Sequence, residues 1–263
     1  MKTKFLHIAT ALLFVGFTSS CSDFLDRYPL DELSDSSFWK TENDAMMAVT
    51  DIYGCLPTWD QDEDINSDNA VHGIKWAAGN ISKGVYDPMD QSWAGSYTPI
   101  RQCNLVLEKV KDIEMSDESR KKIEGQAYFF RAFVYFNLIR SFGDVPYIDK
   151  PLNLTDVEDI TRTPREEVYA KVMADFDKAI EYLPEEWDAA NTPRVTKGAA
   201  LAMKARAALY YNNWQVAADA SKAVMDLGKY ELYDAGNTGK YQELFWEKSD
   251  GCDENILCTI QLP

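Results

Sequence analysis

The chain has 263 residues, of which 43 are acidic and 27 basic, and a formal net charge of −16. Such a surface argues against binding to nucleic acid or to anionic lipid headgroups, because both are held through Lys and Arg. The acidic residues are spread along the chain without long blocks, which is typical of a solvated globular surface.

The first twenty residues read as a secretory signal. Lys2 and Lys4 form a short basic region, and the apolar stretch from Ile8 to Phe17 follows it. This stretch is shorter than the ~20 apolar residues that a membrane-spanning helix needs. Small residues then lead directly to Cys21, which predicts a lipoprotein signal peptide at 1–20 and lipidation of Cys21. The alternative is ordinary signal cleavage, with Cys21 as an incidental thiol.

Residues 21–40 are polar and are predicted to form a lipid-anchored tether, followed by a helical domain over 41–263. Thr41 and Asp44 have the spacing of a capping box at the start of a helix. Residues 57–95 then interrupt the helical pattern with six Gly and Pro residues and many Asp and Asn. A loop of this length inside a compact domain is usually functional or disordered, and its aromatic residues argue against disorder.

The remainder predicts a mostly α-helical protein built from tetratricopeptide-like hairpins, with long loops and a few short strands. The helices are predicted from Tyr97 to about Ile113, from Ser116 to about Ser141, from an N-cap at Thr163 to Leu183, from Thr196 to the turn at Asn212-Asn213, and from Trp214 to Gly228. The second of these is apolar nearly all round, which indicates central burial. Short strands are expected at Val145–Ile148 and Asn255–Ile260.

Signals for catalysis, cofactors and metals are weak. His72 is the single histidine beyond the signal segment, so paired-His zinc and catalytic sites are excluded there, and no phosphate-binding glycine loop occurs. The acidic run at 60–66 departs from the EF-hand pattern, with Ile65 at the glycine position, although another calcium site stays an open alternative. Cys55, Cys103, Cys252 and Cys258 are expected to be free thiols. We therefore predict no enzyme activity, cofactor or resident metal.

The loop at 57–95 is the best candidate for a ligand site. Sugars bind by laying apolar ring faces on Trp or Tyr while amides and carboxylates meet their hydroxyls. The candidate glycan-binding residues of this type are Asp68, Asn69, Trp76, Asn80 and Tyr86. The alternative is that the aromatic residues only pin the loop to the helices, which is the interpretation we favour for Trp93. Since Lys75 and Lys83 are the only basic residues in the loop, a neutral glycan is expected.

Several stretches of the sequence resemble the SusD/RagB family of outer-membrane nutrient-binding lipoproteins. They include Cys21 to Tyr53, the pattern from Tyr97 to Asn104, the helix and its exit from Gly125 to Pro146, and the segments that follow Thr163 and Ala199. The chain departs from the family pattern at Gln126-Ala127-Tyr128, where Glu-Ala-Arg is expected. Family members are about twice as long, so the chain is expected to be the N-terminal half, incomplete at its C-terminus.

The resemblance implies a function and a location. It implies a non-catalytic lipoprotein, anchored in the outer membrane and exposed at the surface, that binds a neutral oligo- or polysaccharide. It further implies that this protein hands its ligand to a SusC-like TonB-dependent transporter. The alternative, from another functional class, is a tetratricopeptide scaffold that binds a partner protein and no glycan.

Overall fold

A computed structural model describes residues 38–56, 84, 91–157, 159–189, 191–233, 243–244 and 252–257. Cys21 with its signal and tether, and the candidate residues Asp68, Asn69, Trp76, Asn80 and Tyr86, lie outside these ranges. The described α-helices are α1 (Glu42–Ile52), α2 (Gln91–Lys109), α3 (Asp117–Phe142), α4 (Arg165–Tyr182), α5 (Lys197–Tyr210) and α6 (Trp214–Asp226). Short 3-10 turns occur at Tyr53–Cys55, Val110–Asp112 and Leu154–Asp156.

Helix α3 is the centre of the core, as its apolar composition predicted. It contacts α1, α2, α4 and α5, and its aromatic side chains Phe129, Phe130, Tyr135 and Phe136 are almost wholly buried. The Ser116 hydroxyl caps the helix by accepting a hydrogen bond from the amide of Ser119 at 3.0 Å. The sequence therefore determined both the position and the buried environment of this helix.

The start of α2 differs from the prediction. The helix begins at Gln91, six residues before Tyr97, and includes Pro99. Its first turns are held on the end of α3, because the Trp93 ring meets Phe142 edge to face at 5.0 Å and the Tyr97 hydroxyl donates to the carbonyl of Pro146 at 3.0 Å. These tertiary contacts outweigh the helix-breaking tendency of Pro99. They also confirm that Trp93 packs on the helical body.

Two predictions around the α3–α4 connection are wrong in detail. The N-cap of α4 is Pro164, not Thr163, and the Asp144 carboxylate accepts a hydrogen bond from the amide of Arg165 at 2.9 Å. Thr163 is instead paired with Val145 in an isolated antiparallel bridge.

The predicted strand at Val145–Ile148 is therefore reduced to this bridge, because Pro146 has no amide hydrogen to continue the pairing. In the described part of the second predicted strand, 255–257, no strand forms.

Helices α5 and α6 form the predicted hairpin. The Thr196 hydroxyl caps α5 by accepting from the amide of Ala199 at 3.3 Å, and alanines dominate the buried face. The turn contains Asn212 with a φ of 57°, a left-handed conformation that Asn tolerates, and Gly228 ends α6 with a φ of 61°. The tetratricopeptide-like fold is thereby confirmed. None of the described helices has the length and apolarity required to cross a membrane.

Candidate functional site

A groove with a volume of about 450 Å³ lies between the end of α1, the start of α2 and the middle of α3. The groove lies between the elements that flank the candidate loop in the sequence, because α1 and its 3-10 turn precede that loop and α2 follows it. Its lining residues are Asp51, Gly54, Cys55, Gly95, Ser96, Thr98, Pro99, Gln102, Phe133, Val134 and Asn137. Lys and Arg are absent from this lining. The described part of the site is therefore uncharged apart from the carboxylate of Asp51.

The groove combines an aromatic ring with amide groups. Phe133 and Asn137 stand one turn apart on α3, and both are half-buried. Gln102 donates a hydrogen bond to the carboxylate of Asp51, which ties α2 to α1 across the groove. The side-chain amide of Asn137 has no hydrogen-bond partner among the described residues. An apolar ring next to a free amide is the combination that binds a sugar face and a sugar hydroxyl.

A hydrogen-bond network around Tyr53 fixes the end of α1 and the 3-10 turn that precede the candidate loop in the sequence. The Tyr53 hydroxyl donates to Gln126 of α3 at 2.8 Å and accepts from the backbone amide of Val195 at 2.9 Å. Arg194 donates to the same Gln126 side chain at 3.2 Å and to the Thr50 hydroxyl at 3.0 Å. Burial raises the pKa of Tyr53 to about 12, so the phenol stays protonated at neutral pH. The last turn of α1 is thus held by α3 and by the segment before α5.

A second network, wholly buried, holds α2 and α4 on α3. Arg131 of α3 forms two hydrogen bonds of 2.7 Å with the carboxylate of Asp175 on α4. It also donates to the Asn104 side chain on α2 at 2.8 Å, and Asn104 donates to the carbonyl of Ile148 at 2.9 Å. Burial raises the pKa of the Asp175 carboxyl, and the Arg131 guanidinium opposes that rise.

Sequence reasoning missed this second network, although two signals for it were present. Asn104 occupies a position within the apolar stripe of α2, and Arg131 lies in the middle of the apolar α3. A polar residue at a buried position needs a partner. Its partner Asp175 lies 44 residues from Arg131 in the sequence, so the pattern could not identify it.

A further cavity of about 420 Å³ adjoins the groove at Phe133. Its other walls are the face of α5 with Ala199, Ala202, Met203 and Arg206, and the segment 254–257. Among the described residues, no group of three or more His, Cys, Asp and Glu side chains could hold a metal ion. The acidic run at 60–66 lies outside the described residues. Cys55, Cys103 and Cys252 are free.

Comparison with known proteins identifies the family of this chain. The profile of the SusD-like family described as "Starch-binding associating with outer membrane" matches residues 24–209. The chain belongs to the SusD-like family. Among curated relatives, SusD-like protein P2 of Formosa agariphila is 29% identical over 240 residues, covering 86% of this chain and 46% of the relative. A SusD-like protein of Bacteroides ovatus is 25% identical over 282 residues, covering 100% of this chain and 50% of the relative.

Solved structures agree with this assignment. A SusD-like protein of Bacteroides fragilis is 29% identical and superposes with a TM-score of 0.78, covering 90% of this chain and 48% of that one. The surface glycan-binding protein A of Bacteroides fluxus has the same fold, with a TM-score of 0.70 at 22% identity, covering 85% of this chain and 51% of that one. The SusD-like chain thus spans about half the length of the proteins that it matches.

Proposed function

We propose that this SusD-like protein binds a neutral glycan with residues of the groove and of the candidate loop, and delivers it to a TonB-dependent outer-membrane transporter. The observation that carries the proposal is the described lining of the groove, where the half-buried Phe133 and the free amide of Asn137 lie on one face of α3 and no Lys or Arg is present. Neutral sugars need stacking surface and hydrogen-bonding groups, whereas sulfated or uronic chains need cations. Trp76 and Tyr86 are the proposed stacking residues, and Asp68, Asn69 and Asn80 the proposed partners of the sugar hydroxyls.

Support for glycan binding comes from the family and from the names of relatives. The family description refers to starch binding, and another protein with the same fold, at 22% identity and a TM-score of 0.70, is a laminarin-binding SusD-like protein. The role is binding without catalysis. Release of reducing sugar from any glycan by the purified protein would contradict that part of the proposal.

Calorimetry on a panel of neutral, sulfated and uronic glycans tests the binding site. We expect binding of a neutral glycan, weakened roughly tenfold or more in Trp76→Ala, because one stacked aromatic face contributes on the order of 1–3 kcal/mol. Asn137→Ala should also weaken it. Trp214→Ala is the matched control, since Trp214 is exposed on α6 and lines none of the groove. Unchanged affinity in both Trp76→Ala and Asn137→Ala would place the site elsewhere.

The anchor and the transporter are tested separately. We expect Cys21→Ala to move the protein from the membrane fraction to the soluble fraction, because lipid on this cysteine is the proposed anchor. Membrane association that is unchanged in Cys21→Ala would refute lipidation. Co-purification of a transporter with the wild-type protein would support delivery. If a partner protein binds and no glycan does, the scaffold function would replace the glycan proposal.

A further inference from the structure

A second polar cavity, of about 310 Å³, lies where α3 ends, α4 begins and α5 turns into α6. It is lined by Ile139 at its base and by the polar side chains of Arg140, Arg165, Glu166, Tyr210, Tyr211 and Asn212. It shares no residue with the groove or with the cavity that adjoins it. Its chemistry also differs, because two guanidinium groups line it.

The charged side chains that line this cavity have a net charge of one positive unit, because two arginines face one glutamate. Arg165 is neutralised by an ion pair with Glu166 at 2.8 Å. Arg140 has no ion pair in the part of the chain that the structure describes, and its guanidinium lies 5.9 Å from the ring centroids of both Phe136 and Tyr210. Contact with aromatic faces stabilises a guanidinium and limits its orientations without satisfying its hydrogen bonds. Arg140 is therefore placed to receive one carboxylate.

The other walls offer rings and hydroxyl partners. Tyr211 stacks on Tyr169 with ring centroids 4.2 Å apart and an interplanar angle of 11°, so its position is fixed. Tyr210 is 55% exposed. The hydroxyls of Tyr210 and Tyr211 and the side-chain amide of Asn212 have no hydrogen-bond partner among the described residues. A ligand that carries several hydroxyl groups in addition to one negative charge would use all of these groups.

We propose that this cavity binds a single hexuronate unit. Its carboxylate pairs with Arg140, its hydroxyls meet Asn212, Glu166 and the tyrosine hydroxyls, and its apolar ring face lies on the tyrosine rings. A neutral hexose would leave Arg140 unmatched, and the Glu166 carboxylate would repel a ligand with several negative charges. A lone acidic side chain of a protein would satisfy Arg140 but leave the amide and phenol groups unused.

Saturation-transfer difference NMR with glucuronate and galacturonate tests this inference, with glucose, galactose and acetate as comparison ligands. We expect the two uronates to bind more tightly than all three comparison ligands. Arg140→Gln should weaken uronate binding roughly tenfold or more, since it removes a charge-assisted hydrogen bond. Arg101→Gln is the matched control, because Arg101 is exposed on α2 and lies outside the cavity. Asn212→Gly, which keeps the left-handed backbone at this position, should weaken uronate binding to a smaller extent.

Three results would overturn the inference. Equal signals from uronates and neutral hexoses would remove the role of the carboxylate. Equal affinity for acetate and uronate would remove the role of the sugar. Uronate binding that is unchanged in Arg140→Gln, with the wild-type circular dichroism spectrum, would place the uronate away from this cavity. Since the cavity shares no residue with the groove, each of these results would leave the neutral-glycan proposal standing.

Discussion

Removing Arg131 should destabilise the protein far more than removing an exposed arginine. Arg131→Met would leave the Asp175 carboxylate, which is 6% exposed, without its bidentate partner, and Asn104 without a donor to its side-chain oxygen. The loss of one member of a buried ion pair costs about 3–5 kcal/mol, because the remaining charge is both desolvated and unpaired. Arg165→Met is the matched control. It breaks an ion pair whose side chains are 57% and 68% exposed, and such pairs contribute at most about 1 kcal/mol.

Urea denaturation at neutral pH, followed by circular dichroism at 222 nm, measures both variants. The double variant Arg131→Met/Asp175→Leu separates the cost of an unpaired charge from the contribution of the pair. It should be more stable than Arg131→Met alone, since no buried charge remains. Two results would contradict the role that the geometry indicates for the buried pair. One is that Arg131→Met lowers the free energy of unfolding no more than Arg165→Met does. The other is that the double variant loses as much stability as the two single substitutions together.

Three further predictions concern Gly125, with Gly95 as its control, Tyr53 and Cys103. Gly125→Ala should destabilise by about 1–3 kcal/mol in urea denaturation, because its Cβ would lie 3.0 Å from the Cβ of Tyr182. Gly95→Ala, where an added Cβ would have no described neighbour within 4 Å outside its own helix, should be neutral or stabilising by up to about 1 kcal/mol. Burial raises the pKa of Tyr53 from 10.0 to about 12. The stability that the protonated phenol contributes is therefore complete below pH 10.0 and is lost as pH rises through about 12. Tyr53→Phe should flatten this alkaline loss in unfolding measurements. The Cys103 thiol, fully buried with its pKa raised by burial, should react with a disulfide reagent only as the protein unfolds.

How much the sequence could predict depended on whether the signal was local. Helix α3 and the α5–α6 hairpin were predicted because caps at Ser116 and Thr196 and a repeated apolar stripe lie within each element. The start of α2 was missed because contacts with Phe142 and Pro146, distant in sequence, hold its first turns. The N-cap of α4 was misplaced for a similar reason, since Asp144 supplies the acceptor that Thr163 was expected to provide.

The candidate site was also predicted only where the signal was local in the sequence. The loop residues were selected by their chemical type, and composition can suggest a loop for sugar binding without giving its geometry. The groove between α1, α2 and α3 was not predicted at all. Phe133 and Asn137 read from the sequence as one side of a buried helix, and only the packing of α1 and α2 leaves them accessible.

The two polar networks explain why that groove can serve as a fixed base for a ligand. Tyr53 and Gln126 tie the end of α1 to α3, and Arg131 and Asn104 tie α2 to the same helix. Both chain segments that flank the candidate loop are therefore attached to the most buried helix of the protein. Side chains ordered before binding lose little further conformational entropy when a ligand arrives. The networks order the backbone of α1 and α2 around the groove, so the proposed sugar contacts at Phe133 and Asn137 would form on a framework that folding has already positioned.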